Sequence, residues 1–175
     1  DSADVSCKGD TTGSATVRTD ITHCGVVNAP NQCSGTTDYI VGTGNNISGL
    51  KTYPTSFSNQ NAKHQFLIKK SELNSAGMLE GKISTIAFQL RNTLSSSFQN
   101  MDINMGCTSK DSIIEFESGL LNVFSSSRYD LNSDSITALL INGEAWFDIQ
   151  LNRDFVWDGD SNIIVKVWMN HNSTS

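Results

Sequence analysis

Charge is scarce in this sequence. Charged residues make up 17% of its 175 residues, and Asp and Glu outnumber Lys and Arg by 18 to 12, for a net charge of −6. Gripping a phosphate backbone requires clustered cations, so this balance argues against nucleic acid as a partner and against docking on anionic lipid. Long apolar runs are missing as well. No stretch approaches the roughly 20 apolar residues of a membrane-spanning helix, so no membrane insertion is expected. No Cys-x-x-Cys pair or Cys/His cluster has zinc-ligand spacing. No nucleophile elbow or other catalytic signature is present. The histidines are His23, His64 and His171, and only one acid, Asp20, lies near His23. The expectation is a chain that is not an enzyme and carries no catalytic cofactor, with His64 an ordinary hydrogen-bonded strand residue. The sequence opens on Asp1 with neither Met nor a leader, and is expected to be a processed product or a piece of something longer.

What is present is Ser, Thr, Asn and Gly in quantity, with 37% hydrophobic residues. That is the texture of secreted all-β proteins rich in turns. The length suits one domain, with room for a short appendage, and can bury a core without metals or staples. The four cysteines, Cys7, Cys24, Cys33 and Cys107, suit two disulfides in an oxidising compartment, with four buried thiols as the alternative. Cys7–Cys24 with Cys33–Cys107 is the favoured pairing, and the other two connectivities remain open.

The patterning divides the chain at residue 33. Residues 1–32 read as an extension of one or two strands tied on by a disulfide, with Ser14 to Thr19 alternating. Residues 33–175 read as the main domain. Short β runs recur there at residues 37–41, 64–68, 82–90, 100–106, 120–124, 145–151 and 163–169. Alternation sets Ile86, Phe88 and Leu90 on one face of their strand, and likewise Met101, Ile103 and Met105. It also sets Ala145, Phe147, Ile149 and Leu151 together. The single helix signal is residues 71–77, where Ser71 can cap one turn and Gly77 can take the left-handed ending. Seven to nine short strands between turn signals predict an all-β, antiparallel β-sandwich of jelly-roll form, with one short helical turn.

Three groups of residues invite a site. Asp158, Asp160 and Asn162 alternate as hard oxygen ligands do at the start of a calcium loop. Ile163 and Met169 stand where an EF-hand needs Gly and Glu, so any calcium would be held weakly, with carboxylates borrowed from other loops. The favoured reading is that Asp158-Gly159 is a hairpin turn into the last strand. Trp146, Trp157 and Trp168 offer aromatic faces on which glycans stack. Trp146 is the leading candidate because Ala145 and Phe147 face the other way; the alternative is packing beneath a loop or against a neighbouring subunit.

Several segments, taken in order, resemble a domain of cell-surface and secreted proteins of Bacteroidota exported by type IX secretion. They are Cys33-Ser34-Gly35-Thr36-Thr37-Asp38-Tyr39 with Val41-Gly42-Thr43-Gly44, Tyr53-Pro54 with Phe57, His64-Gln65-Phe66-Leu67-Ile68, Ser71-Glu72-Leu73 with Ala76-Gly77, and Gly81-Lys82-Ile83-Ser84-Thr85-Ile86-Ala87-Phe88. Ile103-Asn104-Met105-Gly106-Cys107-Thr108-Ser109 and Phe155-Val156-Trp157-Asp158-Gly159 complete the set. Val5-Ser6-Cys7-Lys8-Gly9-Asp10 with Gly13-Ser14-Ala15-Thr16-Val17 resembles the opening of repeats in giant gliding-motility adhesins of the same bacteria. The sequence departs from the first pattern at Trp168, where a Cys is expected, and at Asp160, where a Thr is expected. Any disulfide made by that Cys is absent here. Ser2, Ser112 and Ser135 follow Asp in the manner of O-glycosylation sites of these bacteria. The resemblance implies an extracellular, cell-surface module of an adhesin or surface filament, with neighbouring modules or subunits as partners and a link to gliding. The alternative is a carbohydrate-binding module of a secreted glycan-degrading enzyme, with glycans as partners.

Overall fold

The structure is a computed structural model and describes residues 15–20, 36–42, 61–90, 96–131, 140–141 and 144–170. In chain order the elements are β1 (Ala15–Asp20), β2 (Thr36–Val41), β3 (Asn61–Ile68), α1 (Lys70–Ser75), β4 (Gly81–Leu90) and β5 (Ser96–Thr108). They continue as β6 (Leu121–Leu131), β7 (Leu140–Ile141), β8 (Glu144–Trp157) and β9 (Asn162–Asn170). Two sheets form, one of order β2-β1-β4-β8-β7 and one of order β3-β9-β5-β6. Every strand pair is antiparallel. This is the expected all-β sandwich, and the chain passes repeatedly between its sheets as in a jelly roll. β1, from the predicted N-terminal extension, lies inside the five-stranded sheet between β2 and β4.

The alternating residues meet in one core. Met101, Ile103 and Met105 of β5 face Ile83 and Ile86 of β4 and Ile149 and Leu151 of β8, with Ile163, Val165 and Val167 of β9 among them. Each side chain of this kind contributes about 1.5–3 kcal/mol when fully buried, so the two inner faces hold the sheets together. Two irregularities keep long strands facing inward. Asn100 takes φ 51, and the β5–β9 register shifts there between Gln99 and Asp102. The bulge returns Met101 to the side occupied by Phe98, both fully buried. A second shift, between Ile83 and Thr85, does the same for Ile83 and Ile86 in β4.

Two local expectations change. The helical turn ends as predicted, with Gly77 at φ 84, Met78 N–H donating to Leu73 C=O at 3.0 Å and Gly77 N–H to Asn74 C=O at 2.9 Å. Its start moves from Ser71 to Lys69, whose N–H donates to the Glu72 carboxylate at 2.8 Å. Asp158-Gly159 is not a hairpin turn. β8 belongs to the five-stranded sheet and β9 to the four-stranded one, so residues 158–161 carry the chain across the sandwich. The reason is packing: β9, apolar on its inner face, is placed between β3 and β5 rather than beside β8. Gly159 sits at φ 76, and a Cβ there would lie 3.0 Å from that of Glu80. The crossing needs glycine for both its backbone and its space.

Candidate functional site

The outer face of the four-stranded sheet carries the candidate site. Strand register lines up four side chains there, one per strand. Lys63 of β3 pairs with Trp168 of β9, Trp168 with Asp102 of β5, and Asp102 with Ser125 of β6. Trp168 faces outward because Val167 and Met169 on either side of it are core residues. Asp102 faces outward between Met101 and Ile103 for the same reason. Lys63, Trp168 and Asp102 are half-buried, and Ser125 is exposed. The row below runs Asn61, Asn170, Gln99 and Arg128, all polar.

The face is walled on one side. Residues 109–120 cross its other half and are clamped onto it. The buried Gln65 of β3 donates to Glu115 C=O at 3.1 Å and accepts from Glu117 N–H at 2.9 Å. Lys166 Nζ donates to Glu117 C=O at 3.1 Å. Ile113 of the segment and Ile164 of β9 are both buried. Gly106 of β5 has no side chain to obstruct it; a Cβ there would come within 2.6 Å of the Leu120 Cδ2. Phe116 stands at the border between the covered and open halves, with the Lys63 ammonium 4.1 Å from its ring centroid.

The electrostatics of the open row are mixed. Lys63 supplies an ammonium turned toward Phe116, and Asp102 supplies a carboxylate that accepts a hydrogen bond from the Ser125 hydroxyl. Between them lies one partly exposed indole. Such a row can stack an apolar ring face on Trp168 while Asp102 accepts, and Lys63 donates, hydrogen bonds at its rim.

The predicted site residues are distributed otherwise. Trp146, the leading stacking candidate, is fully buried, which removes it from that role. Its strand parity is as predicted, opposite Ile149 and Leu151, but parity fixes the side of the sheet and not whether that side is covered. Trp157 is also buried, its indole N–H donating to Ser161 C=O at 2.8 Å across the crossing. Only Trp168 of the three keeps an accessible face.

The three predicted calcium ligands are engaged within the fold. Asp158 accepts from Asp160 N–H at 2.9 Å, from Ser161 N–H at 2.8 Å and from the Ser161 hydroxyl at 2.6 Å. These donors hold its carboxyl down at about 2. Asp160 pairs with Lys70. Asn162 accepts from Lys70 N–H at 2.7 Å and donates to Lys110 C=O at 2.9 Å, tying α1, β9 and residues 109–120 together. Among the described residues no group of three or more His, Cys, Asp or Glu is arranged to hold a metal.

Cys107 carries a free, exposed thiol where a disulfide to Cys33 was expected; Cys7, Cys24 and Cys33 lie outside the described residues. Burial, then the neighbouring Asp158 charge, pushes the Cys107 thiol up, which disfavours its reactive thiolate. His64 is a strand residue, but a buried one, and among the described residues neither ring nitrogen has a hydrogen-bond partner. It stacks on Phe66 at 6.4 Å, and burial lowers its pKa. Ser112 is exposed; Ser2 and Ser135, like His23 and His171, lie outside the described residues.

Sequence reasoning missed Gln65 and the clamp it makes. Gln65 lies between His64 and Phe66 in a strand that mixes polar and apolar residues, so nothing in the local pattern marks it. Its partners lie 50 and 52 residues away, beyond any local pattern. Comparison of the chain with family models, with curated proteins and with solved structures finds no match.

Proposed function

We propose that this chain is a non-catalytic, extracellular binding module of a cell-surface adhesin or filament. The observation that carries the reading is how its polar side chains are used. Asn162 and Gln65 clamp backbone between distant segments, Asp158 fixes the crossing beside it, and the open row across β3, β9, β5 and β6 offers a contact surface. A surface module works by contact through such a face, by edge strands and by loop tips, without turnover. The resemblance to type IX-exported surface proteins supports the location and a link to gliding, and the exposed Ser112 is where a glycan would be carried. Beads coated with the purified chain should be retained on cells or surfaces under flow well above albumin-coated beads. Retention equal to albumin would remove the adhesive reading.

A second reading, a carbohydrate-binding module of a secreted glycan-degrading enzyme, is favoured by one specific feature. Trp168 keeps a partly exposed indole among polar neighbours. Purified chain should then be slowed in gels containing a soluble polysaccharide, and migration unchanged in every such polymer would reject it.

A further inference from the structure

We infer that the open row on the four-stranded sheet is a subsite for a single neutral pyranose of a polysaccharide, stacked on Trp168. The inference rests on the carbohydrate-binding reading and gives it a location and a ligand class. Three observations carry it.

The first is spacing. Lys63, Trp168 and Asp102 occupy adjacent strands at one register, so Lys63 and Asp102 stand one strand spacing, about 5 Å, to either side of Trp168. A pyranose lying on the indole places its ring hydroxyls over both neighbours. The second is charge. An ammonium and a carboxylate bracket the aromatic face, and the Asp102 carboxylate is bonded to a hydroxyl, that of Ser125, rather than to a cation. A uronic acid or sulfated sugar would meet Asp102, and an amino sugar with a free ammonium would meet Lys63. A neutral ring meets one acceptor and one donor, each matched to a hydroxyl. The third is shape. Residues 109–120 end the open area with Phe116, which forms a step beside Lys63. The remaining strip carries one partly exposed indole, with the polar Asn61, Asn170, Gln99 and Arg128 in the row below it. A second protein chain would need a broad apolar centre, which a single half-buried indole in a polar strip does not supply.

The same face explains why the contact would be weak for a single site. Lys63 keeps its cation–aromatic contact and Asp102 its Ser125 bond, so the sugar adds to groups already partnered. Avidity would come from many copies on one surface meeting one polymer.

The test is affinity electrophoresis of the whole chain in gels containing soluble β-glucan, xylan or mannan, with polygalacturonate as the acidic polymer. The variants are Trp168→Ala, Trp168→Phe and Asp102→Asn, each checked for an unchanged folded circular-dichroism spectrum. Val156→Ala, on the outer side of the other sheet, is the control. The expected result is retardation in at least one neutral polymer and none in polygalacturonate. Trp168→Ala should lose it, Trp168→Phe should retain part, Asp102→Asn should weaken it about tenfold, and Val156→Ala should match wild type. Retardation that survives Trp168→Ala would overturn this subsite while leaving the carbohydrate-binding reading intact. Retardation only in the acidic polymer would overturn the neutral class. No retardation in any polymer would overturn both.

Discussion

The outer face of the four-stranded sheet has two halves built from the same strands. Near Ile164 and Gly106 it is covered by residues 109–120; near Trp168 and Asp102 it is open. Alternation is the same in both, yet Ile164 is 2% exposed while Trp168 retains an accessible face. The difference is the overlying segment. A clamp of Gln65, Lys166 and Asn162 fixes that segment on one half. An outward-facing position therefore becomes core or contact surface according to what is laid over it.

The sharpest way to break this comparison is to truncate one apolar residue in each half. Ile164→Ala should cost about 2–4 kcal/mol in urea unfolding, through lost burial and a cavity. Trp168→Ala removes a larger side chain and should still cost less, about 1–2 kcal/mol, because part of it remains in water. A larger loss at Trp168 would mean the open half is core.

Removing the clamp should come next. Gln65→Ala leaves Glu117 N–H and Glu115 C=O without their partner and should cost about 2 kcal/mol. It should also open residues 109–120 to proteolysis before global unfolding. Unchanged cleavage would show that the apolar contacts alone hold the covering segment.

Beneath the open half lies His64, on the inner side of β3 opposite Val167. Its folded pKa is lowered by burial, so the unfolded chain binds the proton more readily. Stability is then complete above the ordinary His value of about 6.5 and declines as pH falls below it, by up to about 1.4 kcal/mol per pH unit. His64→Leu should flatten the denaturation midpoint between pH 7 and pH 5. A wild type already flat in that range would contradict a buried, unpartnered imidazole.

The smallest effect belongs to the crossing at the covered end. Asp158→Ala removes three hydrogen bonds from an exposed turn and should cost about 1 kcal/mol in thermal unfolding. Because the Asp158 carboxyl is held at about 2, its contribution is present above the ordinary carboxylate value of 3.8 and lost as pH falls toward 2. The wild type and the variant should converge in stability over that range.

Much of the fold is legible in the residues. Met101, Ile103 and Met105 announce an inward face, and Gly77 announces the end of the helical turn. The candidate site was legible only in part. Trp168 is one of three aromatic residues that the sequence offers for stacking, but Trp146 was the leading one, and the two have opposite fates. Gln65 and residues 109–120, which frame the open half, leave no local signature, because their hydrogen bonds join residues about fifty positions apart.

By itself the sequence determined that strands form and which side of β5 and of β8 is apolar. These depend on backbone preference and on the two-residue period of a strand. Only the tertiary structure decided that residues 158–161 cross between sheets, that Asp158 and Asn162 clamp that crossing, and that Trp168 rather than Trp146 stays accessible. Period assigns a side chain to one side of a sheet. What then covers that side depends on segments brought from elsewhere in the chain, and no pattern within a strand encodes them.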